Sequence, residues 1–196
     1  MAEFRPRAMS GRYVYTLGGE PTDIKESFIV TPAGDGCFDI HGKRSAGDGP
    51  RLAVEGRLEQ GILVKADFAW TDEAGRVEAQ FDAAGPAWRV KGRPVQIPPD
   101  GLVFGLLRVF TGPLLLAILA RGGRAGVVAP QLDASRGLLL EPAFSSREAE
   151  VQGGVVLYVG GPYAEAAECR IRPDGLLESY DWTQPGMGAW RVELEA

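Results

Sequence analysis

Asparagine is absent from the 196 residues, histidine occurs once (His41), cysteine twice (Cys37 and Cys169), and lysine four times against seventeen arginines. Without asparagine there is no N-glycosylation acceptor. A single histidine leaves few routes to general-base catalysis near neutral pH. Two cysteines 132 positions apart make no disulfide framework and are expected of a reduced, cytoplasmic chain. The opening MAEFRPRAMSGRY carries arginines but no apolar run behind them, so it does not read as a secretory leader. Basic residues form no cluster and the formal charge is -5, which speaks against a phosphate-backbone footprint and therefore against a nucleic-acid partner. The arginine bias fits a GC-rich genome.

Local signatures of common chemistry are missing too. There is no Gly-x-Ser-x-Gly elbow, no phosphate loop ending in Lys-Ser/Thr and no strand-linked Gly-x-Gly-x-x-Gly. No cofactor is expected and no catalytic residue can be assigned. Cys37, Asp39 and His41 share one face of a strand at i, i+2 and i+4, the most suggestive metal set in the chain. Same-face neighbours sit about 7 Å apart, too far for all three to reach one ion without bending, so the expected role is a polar strand face. Acidic pairs such as Glu148 and Glu150, Asp67 and Glu78, or Glu178 and Asp181 offer glycosidase-like carboxylates, but a chain with 26 acids yields such pairs by chance.

What is present is alternation. Arg12 to Leu17, Glu26 to Thr31, Cys37 to Gly42, Arg51 to Leu58, Ile62 to Thr71, Arg76 to Asp82 and Trp88 to Lys91 read as strands of an antiparallel meander. Strand signals return at Gly137 to Leu140, Ser146 to Gln152, Val155 to Val159, Glu165 to Arg172, Leu176 to Trp182 and Trp190 to Glu195. Between the two series lie nineteen residues, Leu102 to Ala120 (LVFGLLRVFTGPLLLAILA), with Arg108 as their one charge. Pro98-Pro99-Asp100 stops the sheet, and Asp100 is placed to cap a helix over Leu102 to Thr111. Gly112 breaks it, Pro113 begins a second helix, and Gly122-Gly123 ends that one after Arg121.

A spanning helix needs about 20 uninterrupted apolar residues. Arg108 and Gly112-Pro113 interrupt this run, so no membrane span is expected. The predicted architecture is a single domain, 1–196, mainly β: a strongly curved antiparallel sheet or half-barrel wrapped around one broken apolar helix. Its parts are a meander over 1–100, the helical segment 101–122 and a second meander over 123–196. Burying Phe104, Leu107, Phe110, Leu115 and Ile118 contributes about 1.5 to 3 kcal/mol each. Gly61 to Gly75 followed by Trp88-Arg89-Val90 parallels Gly161 to Gly175 followed by Trp190-Arg191-Val192, a hint of two similar halves.

The stretches PVQIPPDGLVFGLLRVF from Pro94 and VVLYVGGPYAEAAECRIRPDGLLESYDW from Val155 resemble a pattern in bacterial families of unknown function with antiparallel half-barrel folds. These are the glycolipid-binding families and, more distantly, the lipoprotein carriers whose curved sheet holds acyl chains. The resemblance covers under half the chain and implies, by analogy of fold, a non-catalytic binder of an amphipathic or lipid-like molecule. Phe104, Leu107, Arg108, Phe110 and Trp182 are then the expected ligand-lining residues. Arg108 would pair with an acidic head group, its competing roles being a solvent-facing or acid-paired arginine. Trp70, Trp88, Trp182 and Trp190 stand near strand ends, where they can rim a cavity or fill the core. The alternative from another class is an interaction module docking a partner or forming a homodimer, with a hydrolase third.

Overall fold

The computed structural model describes residues 3–85, 87–160 and 163–195, with the side chains of 87 and 163–165 outside that description. Among the described residues fifteen strands form one sheet. The first series is β1 (Met9–Leu17), β2 (Glu20–Gly34), β3 (Cys37–Ala46), β4 (Arg51–Glu59), β5 (Ile62–Asp72), β6 (Gly75–Asp82), β7 (Ala87–Val90) and β8 (Arg93–Gln96). The second is β9 (Leu102–Val103), β10 (Arg124–Pro130), β11 (Pro142–Gln152), β12 (Val155–Gly160), β13 (Tyr163–Ile171), β14 (Leu177–Gln184) and β15 (Gly188–Glu195). Within each series neighbours in sequence are neighbours in space, while β8 and β9, consecutive in the chain, lie at opposite edges; β1 pairs with β15 to join the two series, with Arg12 opposite Glu195 and Leu17 opposite Trp190. The sheet is curved and open, with β8 and β9 as its edges. All pairings are antiparallel save β9 on β10.

Period-2 patterning builds the core. In β4 the inward residues are Leu52, Val54, Gly56 and Leu58, and in β3 they are Phe38, Ile40 and Gly42, with polar or small residues between. The tight turns at Gly18-Gly19 and Gly153-Gly154 have positive φ at both central positions, the backbone that suits right-twisted hairpins and that glycine adopts without a steric cost.

The apolar stretch is covered by its own chain: none of residues 102–119 is exposed. Its secondary structure departs from expectation. Leu102 and Val103 are strand β9, paired with Val127 and Val128, so there is no helix over Leu102 to Thr111. Leu106 then turns the chain with φ 65°, Arg108–Phe110 makes one 3-10 turn, and a single helix follows, α1 (Thr111–Ala120). Gly112 lies inside α1 rather than breaking it. Pro113, in the first turn, lacks an N–H the helix would not use. Asp100 is no cap; Phe110 holds the N-cap position without a side-chain bond, while the Asp100 carbonyl accepts Arg121 Nη1 at 2.7 Å. The mainly β, curved antiparallel sheet expected from the sequence is present and open; among the described residues what packs against it is one short unbroken helix, not a broken helix that the sheet wraps. Gly42 and Gly56 permit that packing: a Cβ on Gly42 would run into Leu107 Cδ1, and one on Gly56 would lie 2.8 Å from the Phe110 ring.

Two further corrections concern strands. Gly137 to Leu140 forms turns, with Leu140 at φ 62° and its carbonyl accepting Trp88 Nε1 at 3.0 Å. Arg124–Pro130 is a strand the alternation did not reveal, because both its faces are partly covered. In the suggested repeat, Gly161 lies outside the described residues; Trp88 pairs with β6 and β8, whereas Trp190 pairs with β14 and β1. Among the described residues no helix is long and apolar enough to cross a membrane.

Candidate functional site

A cavity of about 680 Å³ lies between the 104–114 segment, the start of the loop after β10, and the inner faces of β11, β12 and β14. Phe104, Leu106, Leu114, Ala129, Pro130 and Leu132 give it an apolar wall. Arg44, Arg108, Arg147, Tyr158, Tyr180 and Trp182 give it a cationic and aromatic one. The volume falls within the range of small-molecule sites, roughly 300–1,000 Å³.

Arg108 is held by ring faces. Its Cζ lies 4.5 Å from the Tyr180 ring centre, 5.1 Å from Trp182 and 6.0 Å from Tyr15. Its Nε is shut off from solvent and has no hydrogen-bond partner. Strand register explains the platform: Tyr180 and Trp182 alternate inward on β14, and Trp182 stacks on Trp190 across β15 with ring centres 5.6 Å apart and planes within 6°. Arg147 stands inward on β11 among Ala143, Ser145 and Ala149. It is buried, with Nη1 donating to the Tyr158 hydroxyl, Nε to Ser145 Oγ at 3.3 Å, and its Cζ 5.7 Å from the Phe104 ring. Arg44, half-buried on β3, donates to the Leu106 carbonyl at 3.4 Å and so steadies the left-handed turn.

Beside Arg108 lies Glu26, fully buried on β2 in the same inward series as Phe28 and Val30. Its Oε2 accepts the Tyr15 hydroxyl at 2.7 Å and its Oε1 accepts the Arg108 backbone N–H. Burial raises the Glu26 carboxyl above the usual range, with Arg44 and the Tyr15 bond pulling partly back. Burial likewise pushes Tyr180 up to about 12, opposed by Arg108. The Arg108 proton is disfavoured by burial, which its neighbours Tyr15, Tyr180 and Glu26 outweigh.

Of the five residues singled out from sequence, the cavity gathers Phe104, Arg108 and Trp182. Leu107 and Phe110 are not on its wall; both are core, the first against Gly42 and the second against Gly56 and Gly105. Arg44, Glu26, Arg147, Tyr158 and Tyr180 were not foreseen. Trp88 is core, stacked on Phe68 at 5.2 Å, and Trp70 donates to Asp72. Among the described residues no group of three His, Cys, Asp or Glu is arranged for a metal. Asp39 and His41 face Arg57 and Glu55 across the β3–β4 ladder instead. None of the acidic pairs named above lines the cavity.

No known family model matches the chain, and no curated protein matches it. Among solved structures, the chain is similar to the crystal structure of a DUF1089 family protein from Pseudomonas aeruginosa, at 21% identity and a TM-score of 0.46, over 93% of this chain and 92% of the other.

Proposed function

We propose that the protein is a non-catalytic binder of an amphipathic, lipid-like molecule with an acidic head, seated in the cavity between α1 and the second meander. The observation that carries this reading is one concavity with two kinds of wall. Aliphatic side chains from residues 104–132 face guanidinium groups stacked on Tyr158, Tyr180 and Trp182. Apolar atoms take up the body of such a ligand through area removed from water. The arginines, pinned in place before the ligand arrives, take up the head without a large ordering cost. In this reading Phe104, Arg108 and Trp182 contact the ligand, joined by Arg147, Arg44 and Tyr180.

The test is native mass spectrometry of the purified protein, paired with organic extraction. A copurifying anionic amphiphile that is lost from the Arg108→Met variant supports the reading. An empty protein that also fails to bind added alkyl carboxylates and alkyl phosphates overturns it, and an empty dimer would favour a docking role instead.

A further inference from the structure

Three arginines meet at the cavity, and the one carboxyl buried beside them is already engaged. Among the described residues, Arg44, Arg108 and Arg147 have no carboxylate within 4.0 Å. Glu26 spends both oxygens on Tyr15 and on the Arg108 backbone. Asp133, on the cavity rim, is taken by Ser135 and Arg136. Three guanidiniums against the one Glu26 carboxyl, with Asp133 matched by Arg136, leave the wall with a surplus of positive charge. Two guanidiniums, that of half-buried Arg108 and that of buried Arg147, are fixed on separate ring pairs, Arg108 on Tyr180 and Trp182, Arg147 on Phe104 and Tyr158. Tyr158 and Tyr180 meet edge to face at 6.5 Å, which places the two arginines seated on these rings side by side on the cavity wall.

A carboxylate carries one charge and two oxygens in a plane, enough to engage one guanidinium bidentately. A phosphate monoester carries close to two charges at neutral pH and three terminal oxygens, enough for two guanidiniums at once. We propose that the head group this cavity takes is a dianion of the phosphate monoester class, held between Arg108 and Arg147 with Arg44 supplying a third charge. This rests on the amphipathic reading of the same cavity and names the chemistry of the head.

Calorimetric titration of the whole protein with four probes tests it: dodecyl phosphate, dodecyl methyl phosphate, dodecanoate and inorganic phosphate, each below its micelle concentration. The expected result is that dodecyl phosphate binds at least about tenfold tighter than the diester, which keeps the tetrahedral head but loses a charge, and than the carboxylate. Equal or tighter binding of the diester or of dodecanoate overturns the dianion while leaving an amphipathic site. Inorganic phosphate binding as tightly as dodecyl phosphate keeps the dianion and removes the amphipathic body; no binding by any probe removes both. In Arg147→Met the preference for the monoester should fall to about twofold or less, with Arg147→Lys between it and the wild type. A preference unchanged in both Arg147→Met and Arg108→Met places the head elsewhere and overturns the assignment. Should either variant fail to fold, the wild-type series still decides.

Discussion

Replacing Gly112 by alanine ought to do the opposite of what it does in most helices. Gly→Ala in a helix interior ordinarily stabilises by up to about 1 kcal/mol, since alanine has less backbone freedom to lose. Gly112 has no positive φ that would forbid the change. Its Cβ, however, would fall against the Gly175 carbonyl oxygen inside van der Waals distance, 3.0 Å from the Leu177 nitrogen and 3.2 Å from the Leu176 carbonyl carbon. All three are backbone atoms of the turn into β14, and that turn is tied down by the Arg172 N–H to the Leu176 carbonyl at 2.8 Å and by Gly175 N–H to the Arg172 carbonyl at 2.9 Å. No side chain can swing aside, so either α1 or the turn must shift. Overpacking of this kind costs roughly 1–3 kcal/mol and occasionally more, so we expect a net loss of about 2 kcal/mol. With a urea slope of about 1–3 kcal/mol per molar, the midpoint should drop by roughly 1 M. The control is Gly126→Ala, whose new methyl would meet first the ring of Phe144, an exposed side chain able to move; its midpoint should stay within about 0.5 M of wild type. If Gly112→Ala unfolds at the same urea concentration as wild type or a higher one, the seat of α1 on the β13–β14 turn has been misjudged.

Glu26→Ala should cost about 3 kcal/mol in chemical unfolding, because it strands the Tyr15 hydroxyl and the Arg108 N–H in a dry place, whereas Glu26→Gln keeps an oxygen for the Arg108 N–H and offers its amide N–H to the Tyr15 oxygen, and should cost less than half of that. The pH trend follows from the raised carboxyl: below about 4.5 folded and unfolded chains are both protonated, and above it the unfolded chain releases a proton that the folded one retains. Stability contributed by this group therefore falls as pH rises, and the stability of Glu26→Gln relative to wild type should improve from pH 4 upward; a difference that shrinks instead would contradict the raised carboxyl. Cys169 is wholly buried and its thiol is pushed up to about 12, while Cys37 is half-exposed, so a thiol reagent at pH 8 should count one cysteine in native protein and two in urea. Trp88→Phe keeps most of the core area but orphans the Leu140 carbonyl, for an expected loss of about 2 kcal/mol; an unchanged melting temperature would show that water replaces the indole.

The strands were legible in the residues wherever one face is wet. Arg51 to Leu58 alternates cleanly and Ile62 to Thr71 does so from Ala66 on, and each lies within one residue of the observed strand ends. Leu102 to Phe110 was not legible for the converse reason. A run apolar on every side has no period, so nothing local separates a buried helix from a two-residue strand, a left-handed leucine and a 3-10 turn. That path is set from a distance, by Val127 and Val128 pairing with β9 and by Arg44 reaching the Leu106 carbonyl. The cavity was half legible. Phe104, Arg108 and Trp182 stood out as bulky or charged residues in apolar surroundings, yet Arg44, Glu26 and Arg147 passed as ordinary surface charges. Strand parity could have found them: Arg44 continues the inward series of Phe38, Ile40 and Gly42, Glu26 precedes Phe28 and Val30, and Arg147 sits between Ser145 and Ala149. A charge on the inward beat of an alternating strand signals a buried polar site.

The seam between β1 and β15 has a consequence for the order of assembly. Almost every ladder in this sheet zips between strands adjacent along the chain and forms with little loop-closure entropy, but Arg12 and Glu195 must find each other across 183 positions. Each half of the sheet can therefore knit itself from hairpin to hairpin, whereas the stitch that sews the halves together waits for the last strand. Pulse-labelled hydrogen exchange during refolding should see the β1–β15 amides gain protection after those of β3 to β5, and the reverse order would mean that the two ends act as the nucleus.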